Sequence, residues 1–325
     1  MAVVIDRVKP RLVILLGPTG AGKSALAIEL AEAFGGEILN ADSMQVYRYM
    51  DIGTAKPTPQ EQQRVKHHLL DIVFPDQPFH AGLYRTLGRK TVDRLYRNHT
   101  PVFVVGGTGL YIKVLTQGLF ASPKVDPSIR KRLKEEAEEK GGGLLHERLK
   151  KVDPEAASRI HANDLFRTIR ALEVFESTGF PISFFREQHR FGDRPYLTLK
   201  IGLEMEREKL YRRIEERVER MIEREFLKEV DALLQMGYGP ELKPMQSLGY
   251  KQMVQFLLKQ LGWDEAVRQM KRDTRHYAKR QWTWFKSDPE VFWHDGSVDR
   301  KKIFSEVRSF LGEEVTCNRE EGKDP

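Results

Sequence analysis

The sequence predicts an α/β protein: a mostly parallel sheet flanked by helices, with an all-helical domain inserted into it. Three observations predict it. Short apolar runs alternate with amphipathic stretches over roughly the first hundred residues, as in sheets whose parallel strands are buried on both faces. From about Ser122 to Arg190 no strand-like run occurs, and charged helical texture takes over. Strand texture then returns at residues 196–203 and 291–293. The core domain is accordingly expected over residues 1–120 and 191–325, and the helical insertion over residues 121–190.

Each element has a local reason. Leu12-Val13-Ile14-Leu15-Leu16 is an unbroken apolar run and reads as a buried strand. A glycine-rich loop over residues 17–22 leads into a helix over 23–34, with Leu26, Ala27, Leu30 and Ala31 on one face. Gly35-Gly36 ends it, since glycine is favoured just past a helix terminus. Residues 37–40 form a second strand running into Asp42-Ser43, and residues 101–105 a third, ending in Gly106, Gly107 and Gly109. In the insertion, helices are expected over 126–140, from Asp153-Pro154 onward, and over 164–178. Beyond it lie one long charged helix over 207–236, a turn at 237–240, and further helices to about Lys286. The tail from Glu313 is polar and expected to fray.

Composition narrows the function. With 40% hydrophobic and 31% charged residues among 325, the chain can bury a sizeable core, which excludes wholesale disorder. The single cysteine, Cys317, excludes an internal disulfide and a multi-cysteine zinc site. The longest apolar runs are too short to span a bilayer, and the start Met1-Ala2-Val3-Val4-Ile5-Asp6 lacks a signal-peptide layout. A soluble cytoplasmic protein with no membrane partner is expected. The net charge of +7, from 54 basic and 47 acidic residues, suits an anionic partner without requiring one.

The strongest motif is Gly17-Pro18-Thr19-Gly20-Ala21-Gly22-Lys23-Ser24, which fits G-x-x-x-x-G-K-[ST] between a strand and a helix. Glycines let successive backbone N–H groups converge on a phosphate, and the helix N-terminus adds partial positive charge. Lys23 would neutralise the terminal phosphate, and Ser24 would ligate Mg²⁺ through its hydroxyl. The core is thus expected to resemble a P-loop NTPase, binding a di- or triphosphate.

A hydrolytic NTPase also needs an apolar strand ending in aspartate. Here residues 102–105 run into glycines instead, and Asp71 after Leu69-Leu70 serves equally well as that carboxylate or as a turn residue. Asp42 follows the second strand, where ligands of open α/β sheets sit. It can be a general base or metal contact beside the loop, or a helix N-cap, for which Asp-Ser is common. His67-His68 could suggest a metal, but neighbours in a strand point to opposite faces.

The stretch from Ala41-Asp42-Ser43-Met44-Gln45-Val46-Tyr47 through Gly53-Thr54-Ala55-Lys56-Pro57 resembles the bacterial tRNA dimethylallyltransferases, also called tRNA isopentenyltransferases. So, in order, do His67-His68-Leu69-Leu70-Asp71, Gly106-Gly107-Thr108-Gly109-Leu110-Tyr111, His161-Ala162-Asn163-Asp164 and Arg170-Ala171-Leu172-Glu173. Arg213-Ile214-Glu215-Glu216-Arg217, Leu248-Gly249-Tyr250 and Ala278-Lys279-Arg280-Gln281 continue the series, and the resemblance runs from about Leu12 to Phe285.

That resemblance implies transfer of a dimethylallyl group from dimethylallyl diphosphate to N6 of the adenine just 3′ of a tRNA anticodon. It accounts for a phosphate loop without the usual aspartate. By resemblance, the diphosphate leaves while held by the loop amides, Lys23 and Arg217, with Mg²⁺ between it and Ser24. Asp42 would take the proton from the attacking amine, near Thr19. The insertion would bind tRNA. Asp42, Ser43, Met44 and Gln45 would contact the target adenine; Thr108, Arg130, Phe166, Arg167, Thr168, Ile169 and Arg170 would contact the anticodon loop. So would residues 245–250, with Met245, Gln246, Gly249 and Tyr250. A monomer is expected.

The segment 268–286 carries seven cations against Asp273 alone, with Tyr277, Trp282 and Trp284 interleaved, a composition suited to RNA phosphates and unpaired bases. Arg275, Lys279 and Arg280 are its candidate tRNA contacts, with the rings expected partly in the core. Three other readings compete: a small-molecule kinase, an adenylate isopentenyltransferase acting on free nucleotide, and an RNA-binding switch without catalysis. The first would need a nucleoside triphosphate and ignore tRNA. The second has no use for the insertion or the basic segment, and the missing carboxylate disfavours the third.

Overall fold

The structure, a computed structural model, describes residues 9–119, 126–189 and 192–312. Cys317, the tail from Glu313 and the expected domain boundaries at 120/121 and 190/191 lie outside the described residues. The chain divides into two compact units, Met1–Thr116 with Pro195–Pro325, and Gln117–Arg194.

In chain order the first unit opens with β1 (Arg11–Leu16), α1 (Lys23–Ala33), β2 (Glu37–Asn40), α2 (Pro59–Arg64), β3 (His67–His68), α3 (Ala81–Arg97), β4 (Val102–Val105) and α4 (Gly109–Gln117). The second unit holds α5 (Pro127–Lys140), α6 (Gly142–Val152), α7 (Pro154–Arg159), α8 (Leu165–Thr178) and α9 (Ile182–His189). The first unit resumes with β5 (Leu197–Glu204), α10 (Arg207–Glu223), α11 (Phe226–Gln235), α12 (Tyr250–Leu257), α13 (Trp263–Lys286), β6 (Val291–Asp295) and α14 (Arg300–Leu311).

The strands form one sheet in the order β3-β2-β4-β1-β5-β6, and every pairing is parallel. After the exposed Arg11, β1 is apolar from Leu12 to Leu16 because both its faces are covered. Val13 and Leu15 join a core with Leu26 and Leu30 of α1 and with Ile303 and Val307 of α14. Leu12, Ile14 and Leu16 alternate onto the other face and are equally buried. In the second unit Leu133, Leu145, Leu149 and Leu172 form a separate core. No helix among the described residues is long and apolar enough to cross a membrane.

Two expectations need correction. The long helix over 207–236 is broken: Glu225 adopts φ 66°, ending α10 and starting α11. The buried positions explain the break. They run 210, 214, 218, 221 in α10 and 226, 230, 233 in α11, one residue out of phase with a continuous helix. The insertion also contains more helix than the three segments expected: α6 and α9 add Leu145, Leu149 and Ile182 to the core that Leu133 and Leu172 share. α14 likewise escaped the sequence reading.

Candidate active site

The site assembles at the carboxyl ends of β1, β4 and β2, which lie side by side. Gly17 turns the chain out of β1 at φ 133°, where a Cβ would stand 2.6 Å from the Leu203 carbonyl oxygen. Only glycine fits. Gly22 caps α1 in the left-handed conformation, with no side-chain hydrogen bond at the cap. The first N–H groups of α1 therefore face the loop, as an anion site requires. Lys23 Nζ donates to the carbonyls of Gly17 (2.9 Å) and Pro18 (2.8 Å), fastening the loop from within. Gly17, Pro18 and Ala21 are buried and shape this loop, whereas Thr19, Gly20, Gly22, Lys23 and Ser24 line a cavity of about 640 Å³.

That cavity is cationic. Besides Lys23 it is lined by Arg213, Arg217 and Arg220, which share one face of α10, and by Arg224 just past its end. Burial first, and then the Arg217 charge, lower the Lys23 ammonium to a pKa of about 8 against the opposing pull of Asp42. Arg217 is lowered by the same burial and likewise supported by Asp42. Two deep-set cations thus share one carboxylate, and an anion would relieve them.

Asp42 stands beyond the end of β2. Its Oδ1 accepts from the Met44 N–H (2.8 Å), and its own N–H donates to Asn40 Oδ1 (3.0 Å). No helix starts there, so the helix-cap reading fails in favour of a local turn. No hydrogen bond to its Oδ2 is found among the described residues. A second cavity, of about 310 Å³, shares Thr19, Asp42, Arg217 and Tyr277 with the first. Its remaining wall is largely apolar, with Met44, Val218, Met221, Leu248 and Met270. Asp42 therefore sits where a cationic chamber meets an apolar one. Asp71, the other carboxylate considered, pairs with Lys56 (2.6 Å) and lines neither cavity.

Two residues that sequence reasoning gave no role hold this arrangement. Gln281 Oε1 accepts from the Thr19 N–H (2.8 Å) while its Nε2 donates to the Gly107 carbonyl (2.9 Å). Glu229 accepts from the N–H groups of Asp51 (3.0 Å), Ile52 (2.7 Å) and Gly53 (3.2 Å), and from the Tyr250 hydroxyl (2.6 Å). Gln281 lay inside a quoted motif, but Glu229 looks like any other glutamate on a charged helix.

As for a metal, no group of three His, Cys, Asp or Glu side chains among the described residues could hold one. Ser24 and Asp42 offer hard oxygen donors at the same cavity. Such a set fits Mg²⁺ that keeps waters and binds chiefly through phosphate oxygens.

The family model described as IPP transferase matches residues 45–288. The chain belongs to the IPP transferase family. It is 56% identical over 291 residues to a tRNA dimethylallyltransferase of Syntrophobacter fumaroxidans, covering 90% of this chain and 85% of that one. It is 52% identical over 303 residues to that of Desulfosudis oleivorans, covering 93% and 96%. Among solved structures, a tRNA isopentenylpyrophosphate transferase from Bacillus halodurans matches with TM-score 0.70 and 36% identity, over 93% of this chain and 97% of that chain. A eukaryotic dimethylallyltransferase captured acting on tRNA matches with TM-score 0.77 and 27% identity, over 95% and 81%.

Within this family member the residues expected to face RNA divide sharply by exposure. Met245 and Tyr250 are fully buried, and Tyr250 spends its hydroxyl on Glu229. Gly249 is buried at φ 88°, where a Cβ would meet Met270 Cε at 3.0 Å. All three thus pack within the first unit, and Tyr250 also lines the second cavity. Gln246 is exposed and donates to the Pro240 carbonyl. In the insertion Thr168 and Ile169 are buried on the inner face of α8. Phe166 is 74% exposed, and Arg167 is exposed and paired with Asp164 (2.9 Å). Arg130 and Arg170 both reach the buried Glu173, at 2.7 and 2.8 Å.

On α13 the basic stripe is thinner than its composition suggests. Arg268, Lys271 and Arg275 are paired with Glu265, Glu219 and Glu215. Arg275 is thus engaged within the protein. Lys279 and Arg280 are exposed without an ion pair among the described residues, Arg280 lying over the Tyr277 ring at 5.8 Å. Ser43 donates its N–H to Thr108 Oγ1 (3.0 Å), and Gln45 donates to the carbonyls of Thr54 (3.2 Å) and Ala55 (3.1 Å). His67 lines the first cavity while His68 turns away to Glu37 (2.5 Å), opposite faces as the strand period requires.

Proposed function

We propose that this enzyme transfers a dimethylallyl group from dimethylallyl diphosphate to N6 of the adenine 3′-adjacent to a tRNA anticodon. The observation that carries the reading is the meeting of a cationic and an apolar cavity at Asp42. The diphosphate occupies the cationic chamber, against the loop amides, Lys23 and Arg217. The allylic carbon points to the junction. The adenine, which cannot react inside a stack, is flipped out to reach it.

In the transfer, the N6 lone pair forms a bond to the allylic carbon as its bond to the diphosphate oxygen breaks. The electron pair leaves with the diphosphate, whose developing charge meets Lys23, Arg217 and the N-terminus of α1. Asp42 takes the proton lost by N6, through the oxygen its local turn leaves unused. Mg²⁺ bound by the diphosphate and Ser24 would neutralise further leaving-group charge. The pairing of Asp71 with Lys56, outside both cavities, supports a diphosphate donor over a hydrolysed triphosphate.

The test offers labelled dimethylallyl diphosphate and Mg²⁺ with either unmodified tRNA or free AMP. Label on tRNA alone is expected, with Asp42→Ala abolishing transfer while tRNA binding persists. Label on AMP alone would move the enzyme to free nucleotides. Near-normal turnover by Asp42→Ala would remove it as the base.

A further inference from the structure

We infer that Gln281 is a positioning residue for the transfer, holding the diphosphate loop in register with Asp42 from the helix that carries the exposed cations. The inference rests on the proposed reading of residues 17–24 as the diphosphate loop. Its basis is a side chain that is only 6% exposed and fully committed. The carboxamide oxygen faces an N–H, that of Thr19, and the carboxamide nitrogen faces a carbonyl, that of Gly107. A flipped amide would set like against like at both ends, so one orientation is fixed.

The surroundings are built for this contact. A Cβ at Gly107 would stand 2.1 Å from Gln281 Nε2, so the turn after β4 must be glycine for the helix to approach. Gly107 is followed directly by Thr108. Thr108 in turn accepts from the N–H of Ser43, the neighbour of Asp42. Through the Gly107–Thr108 peptide, these hydrogen bonds therefore connect Thr19 of the loop to the backbone beside Asp42. The residues they join come from four separate parts of the chain.

The contact also settles which amides the loop offers. The Thr19 N–H is spent on Gln281, so a phosphate meets the amides that follow it. Lys279 and Arg280, exposed without ion pairs among the described residues, immediately precede Gln281 on the same helix. The element with cations free for an RNA backbone is thus the one that positions the donor loop.

Gln281→Met keeps the length of the side chain and removes both hydrogen bonds. It is expected to lower kcat/KM for the donor about 10- to 100-fold, since misplacement by ~1 Å is costly at a reacting centre. Affinity for tRNA, measured without donor, should stay near wild type. Gln281→Glu supplies the signature that a merely structural role would not move. One carboxylate oxygen still accepts from Thr19, but the other faces the Gly107 carbonyl until it is protonated. Its activity relative to wild type should therefore rise as pH falls from about 8 to about 6.

A Gln281→Met enzyme with wild-type kinetics, or a ratio for Gln281→Glu that does not change with pH, overturns the inference. Should Gln281→Met fail to fold, the pH ratio of Gln281→Glu decides alone. Absence of transfer by the wild type would overturn the functional reading itself, and this inference with it. Normal wild-type transfer with unaffected variants would overturn only the inference.

Discussion

At the scale of single residues, Lys23 is the informative group. Its burial beside Arg217 holds its pKa near 8, below the ordinary lysine value of 10.5. The sign of the consequence follows directly. Between about pH 8 and 10.5 the unfolded chain binds more protons than the folded one, so without ligand stability rises with pH across that window. Diphosphate favours the charged ammonium, so donor affinity should fall as pH rises through about 8. Calorimetric titration with diphosphate in buffers of different ionisation enthalpy checks this, and proton uptake should grow from pH 7 to about pH 9. Binding without proton uptake would show that Lys23 is already fully charged in the free enzyme. Asp42 depends on the same balance, because it is the carboxylate that both cations share.

At the scale of elements, the interruption between α10 and α11 matters most. A continuous helix would carry Glu229 out of phase with the loop that follows β2. The left-handed residue at Glu225 turns α11 so that Phe226 packs on Tyr250 at 5.0 Å and Glu229 meets residues 51–53. A glutamine there keeps the shape but offers one acceptor oxygen where three N–H groups and a hydroxyl converge. Glu229→Gln is expected to cost about 1–3 kcal/mol in urea unfolding, the usual penalty for buried donors left unpaired. No change would mean water serves those groups as well. On α13 the exposed cations without ion pairs make a second prediction. Reversing Lys279 and Arg280 to glutamate should weaken tRNA binding and reduce its salt slope by about 1 per lost phosphate contact. Arg275→Ala, already engaged by Glu215 and over the Tyr211 ring at 5.8 Å, should leave the slope nearly unchanged.

At the scale of the whole molecule, the insertion has a core of its own. Gln117–Arg194 buries its own leucines, with Leu133, Leu145, Leu149 and Leu172 at its centre. A domain with its own core folds on its own. Expressed alone, this segment should be helical by circular dichroism and melt in one cooperative transition. A gradual, non-cooperative loss of signal would show that it depends on the first unit. Within that first unit the sheet order places β4 between β1 and β2. The turn after β4 therefore stands between the loop and Asp42, which is why Gly106 lies against Ala41, where a Cβ would meet its carbonyl at 2.2 Å.

The sequence by itself determined what is local. The strand, loop and helix around Lys23, the family resemblance carried by motifs in order, and the helical texture of the insertion all follow from contiguous residues whose spacing expresses their chemistry. Partnership over long separations was not legible there. Gln281 lies 262 residues from Thr19, and Glu229 lies 177 from Ile52, so nothing in their neighbours announces the contact. The same limit hid the burial of Tyr250 and Thr168 and the pairing of Arg275 with Glu215, because composition records charge and polarity but not direction. Only the tertiary structure decided which polar groups are spent on each other and which remain for a ligand. A buried hydrogen bond depends on where backbones converge, and that convergence is a property of the packed sheet and helices rather than of any single segment.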